Sequence, residues 1–178
     1  MKYSLVPTVF SVSGMTIREY QTTDVESLRR AANVPDIAVM TASMPYPYRR
    51  RDAVTWIQLC RRRYRQRPVN ERHYVITCGQ EVIGAVSASR HGDEAEIGYW
   101  LTPAYWGQGR MTKVVRKFVP FVFSWWPVVR VIGRTLLNNP ASGRVLEKSG
   151  FYRTANEIHA VRIGQKWLDL LVYAKYRR

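Results

Sequence analysis

Apolar and polar positions alternate along residues 15–20, and strand-like runs recur at 73–78, 82–90, 94–101, 128–137, 152–162 and 166–175. Short turn signals separate several of them: Gly79-Gln80, His91-Gly92-Asp93 and Gly164-Gln165. Helical patterns lie between. Thr23-Asp24-Val25-Glu26 reads as a capping box opening a helix through about Ala32. Residues 33–48 are rich in Pro and Tyr and read as loop or short helical turns. Asp52 reads as the cap of a helix running to about Gln66, whose apolar stripe is Trp56, Ile57, Cys60 and Tyr64. A further helix starts near Arg110, and Pro120 is expected to end or kink it. Pro140 and Gly150 bracket a short helix, one at its first position and one just past its end. The order predicts one α/β domain over 1–178, with a mixed twisted β-sheet of six to seven strands flanked by about four helices. No repeat or linker divides the chain, and 178 residues suit a single core.

Composition changes that picture little. The longest apolar run, 118–129, contains Pro120, Ser124 and Pro127 and is too short to span a bilayer. The stretch from Tyr3 to Phe10 is broken by Pro7 and lacks a small-residue cleavage pattern, so no signal peptide is expected. Cys60 and Cys78 are too few for a disulfide framework and read as buried thiols in a reducing cytoplasm.

Charge changes it more. The formal net charge is +15, from 28 Lys and Arg against 13 Asp and Glu, which implies attraction to polyanions such as nucleic acid, the ribosome, an acidic protein or a phosphorylated ligand. The excess concentrates at Arg49, Arg50, Arg51, Arg61, Arg62, Arg63, Arg65, Arg67 and Arg72, opposed only by Asp52 and Glu71. Most of these arginines lie off the apolar stripe. They form either a solvated face or a docking patch for an acidic or RNA-rich partner.

The richest stretch is 95–112. It reads as a strand, a stop at Pro103, a loop with Gly107 and Gly109, then a helix start. Such a loop presents unpaired backbone N–H groups, and the helix dipole adds positive potential, a construction that suits a pyrophosphate. Glycine permits close approach and positive φ, Arg110 adds charge, and Thr112 adds a hydroxyl. A second segment follows, from Asn139-Pro140-Ala141-Ser142 to Lys148-Ser149-Gly150-Phe151.

The motifs Gly98-Tyr99-Trp100-Leu101-Thr102-Pro103, Trp106-Gly107-Gln108-Gly109, Asn139 with Ser142, and Glu147-Lys148-Ser149-Gly150-Phe151 resemble the GNAT acetyltransferase superfamily, in particular its RimJ/RimL type. Pro45-Tyr46-Pro47-Tyr48, Asp52-Ala53 and Trp56-Ile57 look like that type's entry to the substrate-side helix, so the likeness covers nearly the whole chain. The resemblance implies a GNAT-like fold and acetyl transfer from acetyl-CoA to an amine by direct attack through a tetrahedral intermediate, with no metal. Gly107, Gln108, Gly109, Arg110, Met111 and Thr112 would offer their amides to the pyrophosphate; the family usually has Gly or Ala where Met111 stands. The edge of the strand through Tyr99, Trp100 and Leu101 would pair with the pantetheine and supply an oxyanion donor, and a β-bulge in the family splays that strand from its neighbour. Asn139 would contact the carrier. Ser142 would protonate the departing sulfur, since many relatives' Tyr on this helix is Leu146 here.

The base is less determined. RimL-type enzymes place a Glu ten residues beyond the motif Phe, where this chain has Val161. Glu96 and His159 are the candidates, with Glu157 close in sequence. His159 titrates in the useful range, and Glu96 shares a strand face with Gly98 and Trp100. Tyr46, Tyr48 and Trp56 are expected to line the acceptor pocket, with Trp100 as a further wall. Three functions follow. One is acetylation of a protein N-terminal α-amine, with docking of an acidic protein or ribosomal RNA on the arginine-rich helix. The second is acetylation of a small-molecule amine, and the third a non-catalytic basic domain binding acyl-CoA or RNA. A cytoplasmic location is expected.

Overall fold

A computed structural model describes residues 9–41 and 44–177; the N-terminal stretch read for a leader lies mostly outside them. The strands are β1 Val9–Val12, β2 Met15–Arg18, β3 Glu71–Cys78, β4 Glu81–His91, β5 Glu94–Leu101, β6 Arg130–Leu136, β7 Tyr152–Ile163 and β8 Lys166–Tyr176. The helices are α1 Val25–Ala32, α2 Pro35–Thr41, α3 Arg50–Arg63, α4 Arg110–Trp125 and α5 Pro140–Lys148. All the strands form one sheet in the order β1-β2-β3-β4-β5-β6-β8-β7. Only β5 and β6 run parallel. This is the expected α/β class, with eight strands and five α-helices among the described residues. The additions are β1, a four-residue edge hairpin partner of β2, and the seven-residue α2.

Alternation along the strands sends side chains to two cores. Ile76, Val86, Ala88 and Ile97 face α4 with Val114, Phe118 and Val122. Val75 and Val82 face α1 and α3 with Leu28, Ala53, Ile57 and Cys60. Each fully buried Val, Leu, Ile or Phe among them contributes about 1.5–3 kcal/mol.

Three local expectations are corrected. The Thr23–Glu26 box does not form. Asp24 accepts the Gln21 N–H (2.8 Å) and both terminal nitrogens of Arg18 (2.7 and 2.8 Å), while Glu26 pairs with Arg29 and Arg50. A buried carboxylate with an arginine partner is a stronger anchor than an exposed box. Asp52 does help to cap α3, but from its third position, accepting the Arg49 N–H (2.7 Å), and the helix ends at Arg63 rather than Gln66. Pro120 does not end α4, which continues to Trp125. Pro120 is exposed, so the carbonyl one turn back that it leaves without a helical partner lies on the solvent side, while Phe118, Val119 and Val122 hold the opposite face in the core.

The sheet opens in one place. β5 and β6 pair from Glu94↔Arg130 to Ile97↔Gly133 and stop, though both strands run on. Against β4, β5 keeps an unbroken register from His91↔Glu94 to Gly84↔Leu101. The family bulge is therefore not what parts the strands here: the sheet's register shifts lie in the β3–β4 and β7–β8 pairs.

Candidate active site

A cleft of about 1060 Å³ occupies the gap between β5 and β6 and runs under the helices. It is at the large end of small-molecule sites. The ladder fixes which backbone groups face it. Thr102 N–H donates to Ile83 O (2.8 Å). Opposite residues in an antiparallel pair alternate between exchanging hydrogen bonds and not, so Gly98 and Trp100 turn their backbone groups to β4. Tyr99 and Leu101 turn theirs to the gap, where β6 has departed. The Leu101 carbonyl is taken by the Trp106 indole N–H (2.6 Å). Tyr99 N–H, Tyr99 C=O and Leu101 N–H remain as a short unpaired edge.

One end of that edge meets the start of α4. Gly107 and Gly109 hold φ of 71° and 68°, a region glycine enters without strain. The first helical hydrogen bond is Lys113 N–H to Gly109 O (3.2 Å), so the amides of Arg110, Met111 and Thr112 have no partner within the helix. Met111 is only 7% exposed and packs into the α4 core, so its bulk occupies the interior rather than the helix mouth. Arg110 stacks on Tyr105 and donates to the Gln108 side-chain Oε1 (2.9 Å); the Gln108 side-chain Nε2 in turn donates to Ala104 O (2.9 Å), and Gln108 does not line the cleft. Arg110, Arg144 and Lys148 make this end positive.

The start of α5 lies across from Tyr99. Asn139 accepts the Ser142 N–H through its side chain (3.2 Å), and its carbonyl accepts the Thr135 hydroxyl (3.3 Å). The Tyr99 hydroxyl lies 3.1 Å from both the Ser142 hydroxyl and the Ser142 carbonyl. Burial pushes the Tyr99 phenol well above its usual range, and the Ser142 hydrogen bond only partly opposes this. Leu146 is buried against Gly133.

The other end of the cleft holds carboxylates and aromatic walls. Glu96 on β5 pairs with Arg134 on β6 (2.6 Å), and Arg134 also holds Glu157 on β7 (3.1 Å). Glu96 and Arg134 line the cleft, as do Asp52, Tyr48, Trp56 and Trp100. Much of the remaining wall is apolar, including Ile37, Met40, Met44 and Leu59. His73 also lines it. Burial pulls its pKa down, the Glu71 hydrogen bond opposes, and the Trp56 ring meets the imidazole edge-on at 5.1 Å.

Two expected residues stand apart. Tyr46 is 55% exposed and does not line the cleft. His159 is exposed on β7, with φ of 51° and its N–H given to Asp169 (2.8 Å). Three β7 residues between Glu157 and Val161 face one β8 residue between Leu170 and Leu168, and this bulge carries His159 away from the cleft. Sequence reading missed Arg134, His73 and the Tyr99 hydroxyl. A lone arginine inside the apolar run of β6 was the available signal for the first.

The arginine cluster is partly neutralised. Arg50 pairs with Glu26, Arg63 with Glu71, and Arg72 stacks on Trp125. Arg49, Arg62, Arg65 and Arg67 are exposed. Among the described residues no cluster of three or more His, Cys, Asp or Glu is placed to hold a metal, and no helix is long and apolar enough to cross a membrane.

Residues 15–152 match the acetyltransferase (GNAT) domain family. The probable N-acetyltransferase YjcK of Bacillus subtilis is 38% identical over 80 residues, 45% of this chain and 44% of that protein. The ribosomal-protein-serine acetyltransferase of Escherichia coli is 26% identical over 105 residues, 57% of this chain and 59% of that protein. The chain thus spans about half the length of the curated relatives it matches. Among solved structures, the microcin C7 self immunity acetyltransferase MccE, in complex with acetyl-CoA and AMP, superposes with a TM-score of 0.86 at 19% identity, covering 98% of this chain and 99% of that one. RimL, the ribosomal L7/L12 alpha-N-protein acetyltransferase, in complex with coenzyme A, gives 0.82 at 19% identity, covering 96% and 97%. At such identities the likeness is one of fold.

Proposed function

The chain belongs to the acetyltransferase (GNAT) domain family, and from that premise we propose that it transfers an acetyl group from acetyl-CoA to a primary amine, foremost a protein N-terminal α-amine. One observation carries the reading. The free amides at the start of α4, the unpaired Tyr99–Leu101 edge and the Tyr99–Ser142 hydroxyl pair lie along a single cleft.

Each part has a task. The amides of Gly107, Gly109, Arg110, Met111 and Thr112, with the side chains of Arg110, Arg144 and Lys148, hold the diphosphate of the donor. Tyr99 C=O and the Leu101 N–H pair with the amides of the pantetheine arm, as an added strand would. A backbone N–H on this edge stabilises the oxyanion formed as the amine attacks the thioester carbon. Ser142 gives its hydroxyl proton to the sulfur as the carbon–sulfur bond breaks and takes one in its place from water, with Tyr99 holding that hydroxyl in place. The proton lost by the attacking nitrogen leaves toward Glu96, directly or through water, while Arg134 fixes the carboxylate. Asn139 steadies α5 at its first turn.

The carboxylates of Asp52 and Glu96 make the acceptor end suited to an ammonium in an otherwise basic protein. The E. coli relative's name supports a protein acceptor, and the exposed arginines of α3 offer a docking face for an acidic protein or for ribosomal RNA. Release of CoA thiol with a panel of N-terminal peptides tests this: turnover above background supports it, and background rates with every peptide refute it. The apolar wall of Ile37, Met40, Met44 and Leu59 favours a second reading, a small hydrophobic amine as acceptor. A panel of such amines in the same assay separates the two.

A further inference from the structure

The acceptor end of the cleft has a polar neighbour. On the sheet face away from α4 a second hollow of about 170 Å³ is lined by Ser87, Ser89, His91, Glu96, Ile97 and Gly98. The strand alternation places it there: Val86, Ala88, Ala95 and Ile97 pack toward α4, so Ser87, Ser89 and His91 on β4, and Glu96 and Gly98 on β5, point the other way. Ser87, Glu96, Ile97 and Gly98 line both the cleft and this hollow, so the two adjoin along these residues. Glu96 stands where they join, held there by Arg134.

The chemistry of the two compartments differs. The acceptor wall of the main cleft is largely apolar, whereas the hollow offers two hydroxyls, an imidazole and a carboxylate. The connection also depends on a missing side chain. A Cβ at position 98 would sit 3.1 Å from the Ser87 hydroxyl, narrowing the passage between the rows Ser87↔Gly98 and Ser89↔Glu96. A small amine enclosed in the cleft has no use for such an outlet. A chain that continues past its amine does, and polar donors and acceptors along it match a main-chain amide.

We propose that the hollow bounded by Ser87, Ser89 and His91 is a subsite for the peptide bond and second residue of the acceptor, which makes the substrate a peptide of at least two residues whose amine lies at Glu96. The proposal rests on the amine-acetylation reading above. Ser87 and Ser89 are two strand positions apart, about 7 Å, the reach of two extended residues. The acceptor therefore makes its length-dependent contacts at its second residue and gains little from a fourth.

Acceptors that share a first residue test this: an amino-acid amide, the dipeptide amide and the tetrapeptide amide, with kcat/KM read from CoA thiol release. We expect the dipeptide amide to exceed the amino-acid amide by roughly tenfold, equivalent to about 1.4 kcal/mol, which one or two hydrogen bonds supply. In Ser89→Val and in His91→Ala this advantage falls to about twofold or threefold, with CoA binding by calorimetry as the check that each variant is folded. His91 is exposed, so its replacement carries little folding risk. Equal kcat/KM for one and two residues in the unaltered protein overturns the proposal, as does an undiminished advantage in both variants. Background turnover at every length, with CoA still bound, is the failure of the acetyl-transfer reading itself and takes the subsite with it.

Discussion

Replacing Tyr99 with Phe removes one oxygen and tests how the site handles protons. The deleted hydroxyl lies 3.1 Å from two oxygens of Ser142, its carbonyl and its hydroxyl. Neutral hydrogen bonds contribute about 0.5–1.5 kcal/mol each, so the variant is expected to lose about 1–2 kcal/mol of stability. The larger effect is on catalysis. A positioned proton donor supplies roughly 10²–10⁴ in rate. Tyr99→Phe leaves the Ser142 hydroxyl present but unoriented, and kcat should fall by about 10–100-fold, equivalent to about 1.4–2.7 kcal/mol. Affinity for CoA should hold, since the phosphate amides at α4 are untouched. Burial raises the phenol's pKa above an ordinary value of about 10. The hydroxyl therefore stays protonated throughout an assay from about pH 6 to 9, and the ratio of unaltered to variant kcat should be flat across it. Tyr99→Phe should also add little to Ser142→Ala, because the two act as one unit. A Tyr99→Phe enzyme with full kcat, a ratio that changes with rising pH, or additive losses in the double variant would each refute the relay.

Gly133→Ala places a Cβ 2.7 Å from the Leu146 side chain; overpacking there should cost about 1–3 kcal/mol, read by urea denaturation. His73→Gln tests a buried imidazole whose pKa is pulled down mainly by burial. Above its ordinary value near 6.5 the imidazole is neutral folded or unfolded. Below it the unfolded chain takes up the proton first, so stability falls as pH drops from about 6.5 toward the folded pKa, and the variant should flatten that slope in denaturation curves. Arg134→Met leaves Glu96 and Glu157 facing each other without a cation and should lower kcat/KM about a hundredfold, the low end for a positioned proton acceptor. Arg134→Lys, which keeps the charge but not the fork, should recover part of it.

What could be read in the sequence was what is local. Period-two alternation and the Gly turns located β2 to β8, because a half-buried strand must show its two faces in order. The glycines at 107 and 109 and the Pro140–Gly150 bracket located the mouths of α4 and α5 for the same reason. What escaped depended on partners far along the chain. Asp24 is an anchor because Arg18 meets it, not because of its neighbours in sequence. Pro120 is tolerated because the core holds the far side of α4. His159 lies near the motif in sequence, yet a bulge in β7 turns it to solvent. The Tyr99 hydroxyl gains a role only because β5 and α5 converge, which no spacing within either element reveals. Met111 departs from the family's small residue, and its burial in the α4 core shows how a bulky side chain fits at that position.

The most direct test of the account is calorimetric titration of the purified protein with CoA and, separately, with pantetheine, which lacks the diphosphate and the 3′-phosphoadenosine beyond it, and with 3′-phosphoadenosine alone as the control for that part. If the amides at the start of α4 grip the diphosphate, CoA binds at least about a hundredfold more tightly than pantetheine, a difference of about 2.7 kcal/mol. Equal affinities, or no heat with CoA at millimolar concentration, would contradict it.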